Sequence, residues 1–252
     1  MFEQYDAWVL AWCTFALVCG GVIKGALGIG TPLLTVPMMA LVLPPQLAVV
    51  VMAIPIVAAN LWQFALADHS VAVVKRFWPV FISILIGVLL GAKILSGIDE
   101  QTLFVIVGVA VIGFALVQVS SFRFQFSESM VKPAGVLFGA CAGVIGGLSS
   151  FLGPLLVVYL ISLPRMNKDQ FVSSISFLYV SGVVPWAITL YLLGMLYGEV
   201  LVLSVFATAP VAVGLLLGQR VRKYISEQHF KILIVSILMV SGASMLWRAY
   251  QF

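Results

Sequence analysis

Away from its loops, the chain offers few side chains and backbone positions able to do chemistry. They are Lys24, Gly28, Gly30 and Thr31 early in the sequence, Asn60, and Ser149, Ser150 and Gly153 past the middle. None of them makes a catalytic set. There is no HExxH, GxSxG or Walker pattern, and the two histidines, His69 and His229, both sit near loops, which leaves Ser149-Ser150 without a plausible base. These residue types suit the holding of an anion. A helix N-terminus presents unpaired N–H donors and a partial positive charge, glycine lets a ligand reach that backbone, and threonine and serine add hydroxyl donors beside it.

The eight positions fall mostly around two breaks of one kind. The first runs Gly21-Val22-Ile23-Lys24-Gly25, then Gly28-Ile29-Gly30-Thr31-Pro32-Leu33-Leu34. The second runs Gly143-Val144-Ile145-Gly146-Gly147, then Ser149-Ser150 and Gly153-Pro154-Leu155-Leu156. In each, an apolar run stops at small residues, and a shorter run restarts with proline in its first turn, where the missing N–H costs nothing. Broken backbone at membrane depth is tolerated only where it is buried in protein or lines a cavity, and matched breaks in two halves point to the binding site of a transporter. Small residues at four-residue spacing, such as Gly21 and Gly25, equally suit close helix packing.

The elements that must position these residues are membrane helices. The sequence is 63% hydrophobic and only 9% charged over 252 residues, with a mean hydropathy of +1.18, against about 25% charged residues in soluble domains. Ten apolar segments are expected at 7–28, 31–43, 45–66, 72–92 and 101–120, and at 133–148, 151–163, 171–193, 199–218 and 229–248. Without a basic leader or a small-residue cleavage site, the first is expected to be retained as a helix. A second correspondence, Gly87 to Gly91 with Gly214 to Gly218, extends the repeat to the far end of each half. The expected fold is an all-α polytopic membrane protein. It forms one membrane domain over 1–252 from two inverted-topology repeats, approximately 7–120 and 133–250, joined by the linker 121–132.

Charge supports the inversion. With five segments per half, and Lys24 and Lys231 set aside as lying within segments, one face collects Lys75, Arg76, Arg123, Lys132, Arg165, Lys168, Arg220, Arg222 and Lys223, and the other only Lys93 and Arg248. The positive-inside rule then puts both termini outside. Whether the short second segments cross or re-enter is open to this count. Trp8, Trp62, Trp78 and Trp247 lie near segment ends as interfacial anchors. Cys13, Cys19 and Cys141, with no metal-like spacing, are read as small buried hydrophobes. No metal or other cofactor is expected, and no nucleic-acid partner, because no basic stripe exists.

Every carboxylate lies at a terminus, in a loop or at a segment edge, which counts against a cation as main substrate. Lys24 is the exception among charges. It either snorkels to the cytoplasmic face or meets an anion directly. Asn60 and Gln63 in the third segment, and Ser173, Ser174, Ser176, Tyr179 and Ser181 in the eighth, either bind helices together or line a polar path.

The pattern Gly21 to Pro37, Gly-x-x-x-Gly-x-x-Gly-Ile-Gly-x-Pro-Leu-Leu-x-Val-Pro, followed by the related Gly143 to Pro154 stretch, resembles the TauE/SafE family of sulfite-exporter-like membrane proteins over nearly the whole chain. Members typically carry a run of glycines where this chain has Gly30-Thr31-Pro32, and the second copy is looser. The resemblance implies transport of a small sulfur-containing anion, sulfite or an organosulfonate, across the inner membrane. Absence of a nucleotide motif leaves coupling to an ion gradient (H+ or Na+), to the substrate gradient or to a partner. The residues alone also admit an anion channel, or a membrane subunit or sensor that carries nothing.

Overall fold

The computed structural model of the chain describes residues 6–27, 30–66, 71–119, 125–164, 168–221 and 227–251. Gly28 lies outside these, as do Asp68, His69, Arg123, Arg165, Arg222 and Lys223. The described chain is helical, without strands, and six helices are long and apolar enough to cross a membrane. This is a polytopic all-α membrane protein. In order the helices are α1 (Ala7–Leu27), α2 (Thr31–Met39), α3 (Pro45–Val51), α4 (Ala53–Leu66), α5 (Val71–Leu95), α6 (Glu100–Val119), α7 (Val131–Ser149), α8 (Gly153–Ile161), α9 (Lys168–Leu192), α10 (Gly198–Val221) and α11 (Glu227–Gln251).

Their ends follow from local chemistry. Asp99 starts α6 by accepting the Thr102 N–H at 2.8 Å on one carboxylate oxygen and the Thr102 hydroxyl at 2.8 Å on the other. Pro45 opens α3, and Gly194 and Gly198, both at positive φ, turn the chain between α9 and α10. One expected segment differs from the sequence reading. The run 45–66 kinks at Met52, because Pro55 has no N–H to give the Val51 carbonyl one turn back and its ring crowds that carbonyl.

The helices gather into two compact units, and neither unit is one half of the sequence. One comprises Met1–Pro55, Ile98–Ser121 and Leu196–Phe252, the other Ile56–Gly97 and Phe122–Met195. In the first, α1 packs along α10, α6 along α11, and α2 against α1, α3 and α11. In the second, α5 packs along α7 and α9, and α8 against α7 and α9.

Glycine makes the tightest of these contacts. A Cβ at Gly21 would fall 2.3 Å from the Val211 carbonyl oxygen, at Gly25 2.1 Å from that of Leu215, and at Gly214 2.1 Å from that of Val18. Across α5 and α7, a Cβ at Gly91 would fall 2.3 Å from the Val144 carbonyl oxygen and one at Gly143 2.5 Å from that of Ile84. Between helices in lipid there is no water to expel, so backbone approach and van der Waals contact carry the packing. The repeated glycine motifs therefore pair crosswise. The first-half break motif on α1 meets the second-half motif on α10, and the second-half break motif on α7 meets the first-half motif on α5.

Trp8, Trp62, Trp78 and Trp247 are all exposed, as membrane-interface anchors must be. The cysteines depart from expectation. Cys141 is exposed on α7, and Cys13 and Cys19 are half-buried. In lipid an exposed thiol costs little, so the pressure that buries cysteine in water-soluble proteins is absent.

Candidate functional site

Both breaks have a left-handed residue and a proline in the first turn of the second helix. At the first, Gly30 has φ 98° and ψ 11°, a left-handed conformation open to glycine at little cost, and it swings the chain from α1 into α2. Pro32 sits in the first turn of α2. At the second, the left-handed residue is Ser150, φ 64°, whose N–H closes α7 on the Gly146 carbonyl at 2.7 Å. Phe151 and Leu152 follow, both buried, and α8 starts at Gly153 with Pro154 behind it. Each second helix has nine residues. At about 1.5 Å per residue that is roughly 13 Å, under half of a hydrocarbon core of about 30 Å.

Neither N-terminus carries a side-chain cap among the described residues. Pro32 and Pro154 have no N–H, and the Leu33 N–H turns back to the Gly30 carbonyl at 3.1 Å, so the N–H groups set in buried surroundings at these two starts are those of Thr31 and Gly153.

The structure divides the expected site residues between the units. Lys24, Gly30 and Thr31 belong to the first, and Asn60, Ser149, Ser150 and Gly153 to the second. Lys24, in the last turn of α1, is only 4% exposed, so its ammonium does not snorkel to the surface. A cation there also complements the negative end of the α1 dipole. Thr31 is 2% exposed, and its carbonyl accepts the Thr35 hydroxyl at 2.9 Å. Thr35 in turn lies over Gly20, where a Cβ would meet its Oγ1.

The second break is more committed internally. The Ser149 hydroxyl donates to the Ile145 carbonyl at 2.6 Å, and the Ser150 hydroxyl donates to the Ser149 carbonyl. Each hydroxyl has one proton, so either must rotate before it can donate to a ligand. The Asn60 amide donates to the Ile56 carbonyl at 2.8 Å, one turn back on α4.

Two side chains beside the second break were not singled out as site residues from sequence. Tyr179, on α9, sets its hydroxyl so close over Gly153 that a Cβ there would lie 1.6 Å from it. Trp186, fully buried, donates its indole N–H to the Gly147 carbonyl at 3.0 Å. The signal for Tyr179 was its hydroxyl within an apolar run; nothing local signalled Trp186. Ser173, Ser174, Ser176 and Ser181 are buried along the same helix, with Ser176 and Ser181 bonded back to the carbonyls of Val172 and Leu178.

The electrostatics are one-sided. Among the described residues, Lys24 is the one charged side chain that is buried, and no group of histidine, cysteine and carboxylate residues could hold a metal. The site surroundings therefore offer backbone and hydroxyl donors and a cation, and no buried carboxylate.

Comparison with known proteins agrees with this chemistry. Residues 13–245 match the family model described as Sulfite exporter TauE/SafE, which covers both breaks and both pairs of packing motifs. No curated protein and no solved structure matches the chain. The family is one of membrane sulfur-anion exporters, which are transporters and not enzymes. A match across almost the entire length, over a chain built of membrane helices, places the protein in the TauE/SafE sulfite exporter family.

Proposed function

We propose that the protein is a secondary transporter of a small sulfur oxyanion, sulfite or an organosulfonate, working by alternating access in the inner membrane with both termini outside. The observation that carries this is the pair of nine-residue helices α2 and α8, each starting at a glycine and proline break with an uncapped, buried N-terminus. Lys24, Gly30 and Thr31 make one candidate anion contact, and Ser149, Ser150 and Gly153, with Asn60, make the other. Gly28, beyond the described residues, belongs to the first by its place in the motif. An oxyanion needs several donors at once. Backbone N–H groups at a helix start are already fixed in place, so they bind without the cost of ordering long side chains.

The crosswise glycine pairing supports two repeats, and their inversion rests on the charge count by loop parity. If α1 corresponds to α7 and α10 to α5, the α1–α10 pair of one unit corresponds to the α7–α5 pair of the other, and the glycines meet within each. The preference for anions rests on the absence of a buried carboxylate among the described residues, together with the family.

Reconstitution into proteoliposomes tests the reading. Flux of sulfite, thiosulfate, sulfoacetate and taurine, with a carboxylate as control, is expected to be slow and saturable for at least one sulfur anion. Fast voltage-driven flux would make the protein a channel, and no flux of any sulfur anion would overturn the transport reading. Imposed H+ and Na+ gradients in the same vesicles identify the coupling ion.

A further inference from the structure

The kink between α3 and α4 is closed by a residue from far along the chain. Pro55 cannot donate to the Val51 carbonyl, and a proline kink also pulls the preceding N–H, that of Ile54, off the regular ladder. Two backbone groups are thus left over in the interior. Both are taken by one side chain, Ser204 of α10. Its hydroxyl donates to the Val51 carbonyl at 2.8 Å and accepts the Ile54 N–H at 3.0 Å. Ser204 is fully buried. A serine hydroxyl has one proton to give and lone pairs to receive, so this single group replaces both lost helix bonds.

The place matters as much as the chemistry. Pro55 is the last residue of one compact unit along this stretch, and Ile56 the first of the other. The chain also passes between units at 97/98 and 195/196, outside any helix, and at 121/122, beyond the described residues. At 55/56 it passes within a helix, three residues past the kink at Met52. Asn60, which the proposed function puts at the anion, lies little more than a turn further on.

We propose that the α3–α4 kink is a hinge and that Ser204 is its pin, a positioning residue for transport that acts through α4. The hydroxyl holds the bent form by hydrogen bonds that can lengthen and re-form. A regular helix at this point would hold α4 straight through its own ladder. Val51 ends α3 and Ile54 lies in the first turn of α4, so the pin spans the kink, and loosening it leaves α4 free to turn relative to α3. The role in transport rests on the proposed function, whereas the pin itself does not.

Hydrogen exchange on the full-length protein in detergent or nanodiscs reads the pin directly. In Ser204→Ala the Ile54 amide is expected to exchange about tenfold faster or more, with little change elsewhere in α10, and Ser204→Thr is expected to hold it near the wild-type rate. Flux then reads the positioning role. Ser204→Ala should lower the maximal rate about tenfold with KM nearly unchanged, and Ser204→Thr should retain most of it. The deciding variant is Ser204→Ala combined with Pro55→Ala, which gives position 55 an N–H for the Val51 carbonyl and lets the helix run straight. Exchange at 54 should slow again while transport stays low, because the hinge is now stiff. Unchanged exchange in Ser204→Ala would overturn the pin. Full recovery of flux in the double variant would show that only structural repair was needed and overturn the hinge. Should the wild type move no sulfur anion, the transport reading fails, and the exchange result alone decides the pin.

Discussion

Lys24 is where a single residue weighs most. A lysine at the centre of a membrane helix costs about 2.5–3.5 kcal/mol on insertion scales, and Lys24, though in the last turn of α1, is buried in protein, so something there must compensate for it. Lys24→Ala is expected to lose transport with expression unchanged, and Lys24→Arg to keep part of it. Normal flux in Lys24→Gln would assign the charge to the α1 dipole instead of the anion. Thr31 supplies a finer test, because valine keeps its shape and removes only the hydroxyl. Thr31→Val should weaken apparent anion affinity by roughly 1.5–3 kcal/mol, the value of one hydrogen bond to a charged group, measured as a rise in KM for flux.

How much of the site was legible also varies residue by residue. Gly30 was legible as a break residue, because glycine frees φ where an apolar run stops before proline, and it is left-handed there. Gly153 was legible as a break residue, but its neighbour was not. The hydroxyl that fills the space over it comes from Tyr179, 26 positions along the chain. Ser149 and Ser150 were read as donors to a ligand, whereas both protons go to backbone carbonyls, a competition that short hydroxyl side chains often win near helix ends.

Among the elements, the expected segments match the observed helices closely wherever glycine, proline or charge punctuates the sequence. The miss is instructive. Pro55 lies in a run without glycine, and Pro79, Pro185 and Pro210 sit inside helices that continue past them. Sequence could not rank Pro55 apart from these, because what stabilises its kink is Ser204, about 150 residues away. The helix pairings yield their own prediction. Gly214→Leu on α10 should destabilise the protein by about 1–3 kcal/mol or more, since its Cβ would press on the Val18 carbonyl of α1. Gly113 on α6 is the control. Nothing lies within 4 Å of a Cβ there, so Gly113→Ala should be neutral or stabilising by up to about 1 kcal/mol through helix propensity. Thermal melting followed by size-exclusion chromatography compares the two.

For the whole molecule, the sequence led to the expectation of a repeat with a charge asymmetry, and the structure adds which of the matched glycine motifs touch. Topology follows as a prediction. Ser96 and Ser127 are both exposed and lie on opposite sides by the charge count. In a cysteine-free background, Ser96→Cys should react with an impermeant thiol reagent on whole cells, and Ser127→Cys should react only after permeabilisation. The reverse pattern would invert the protein in the membrane, and equal labelling would remove the inverted-repeat arrangement.

Crosswise pairing also has a consequence for how the protein is made. α1 ends at Leu27 and its partner α10 begins at Gly198, so about 170 residues are synthesised between them. At roughly 5–20 residues per second, the glycine face of α1 waits on the order of 10–35 s in the bilayer before the surface it fits exists. α7 waits for nothing, because α5 has already been made. The second unit is therefore complete in sequence once α9 leaves the ribosome, while the first stays open until nearly the last residue. A nascent chain stalled before Gly198 should hold α5 and α7 in contact and leave α1 to lipid or to an insertion chaperone. Site-directed crosslinking of stalled chains would read that order of assembly.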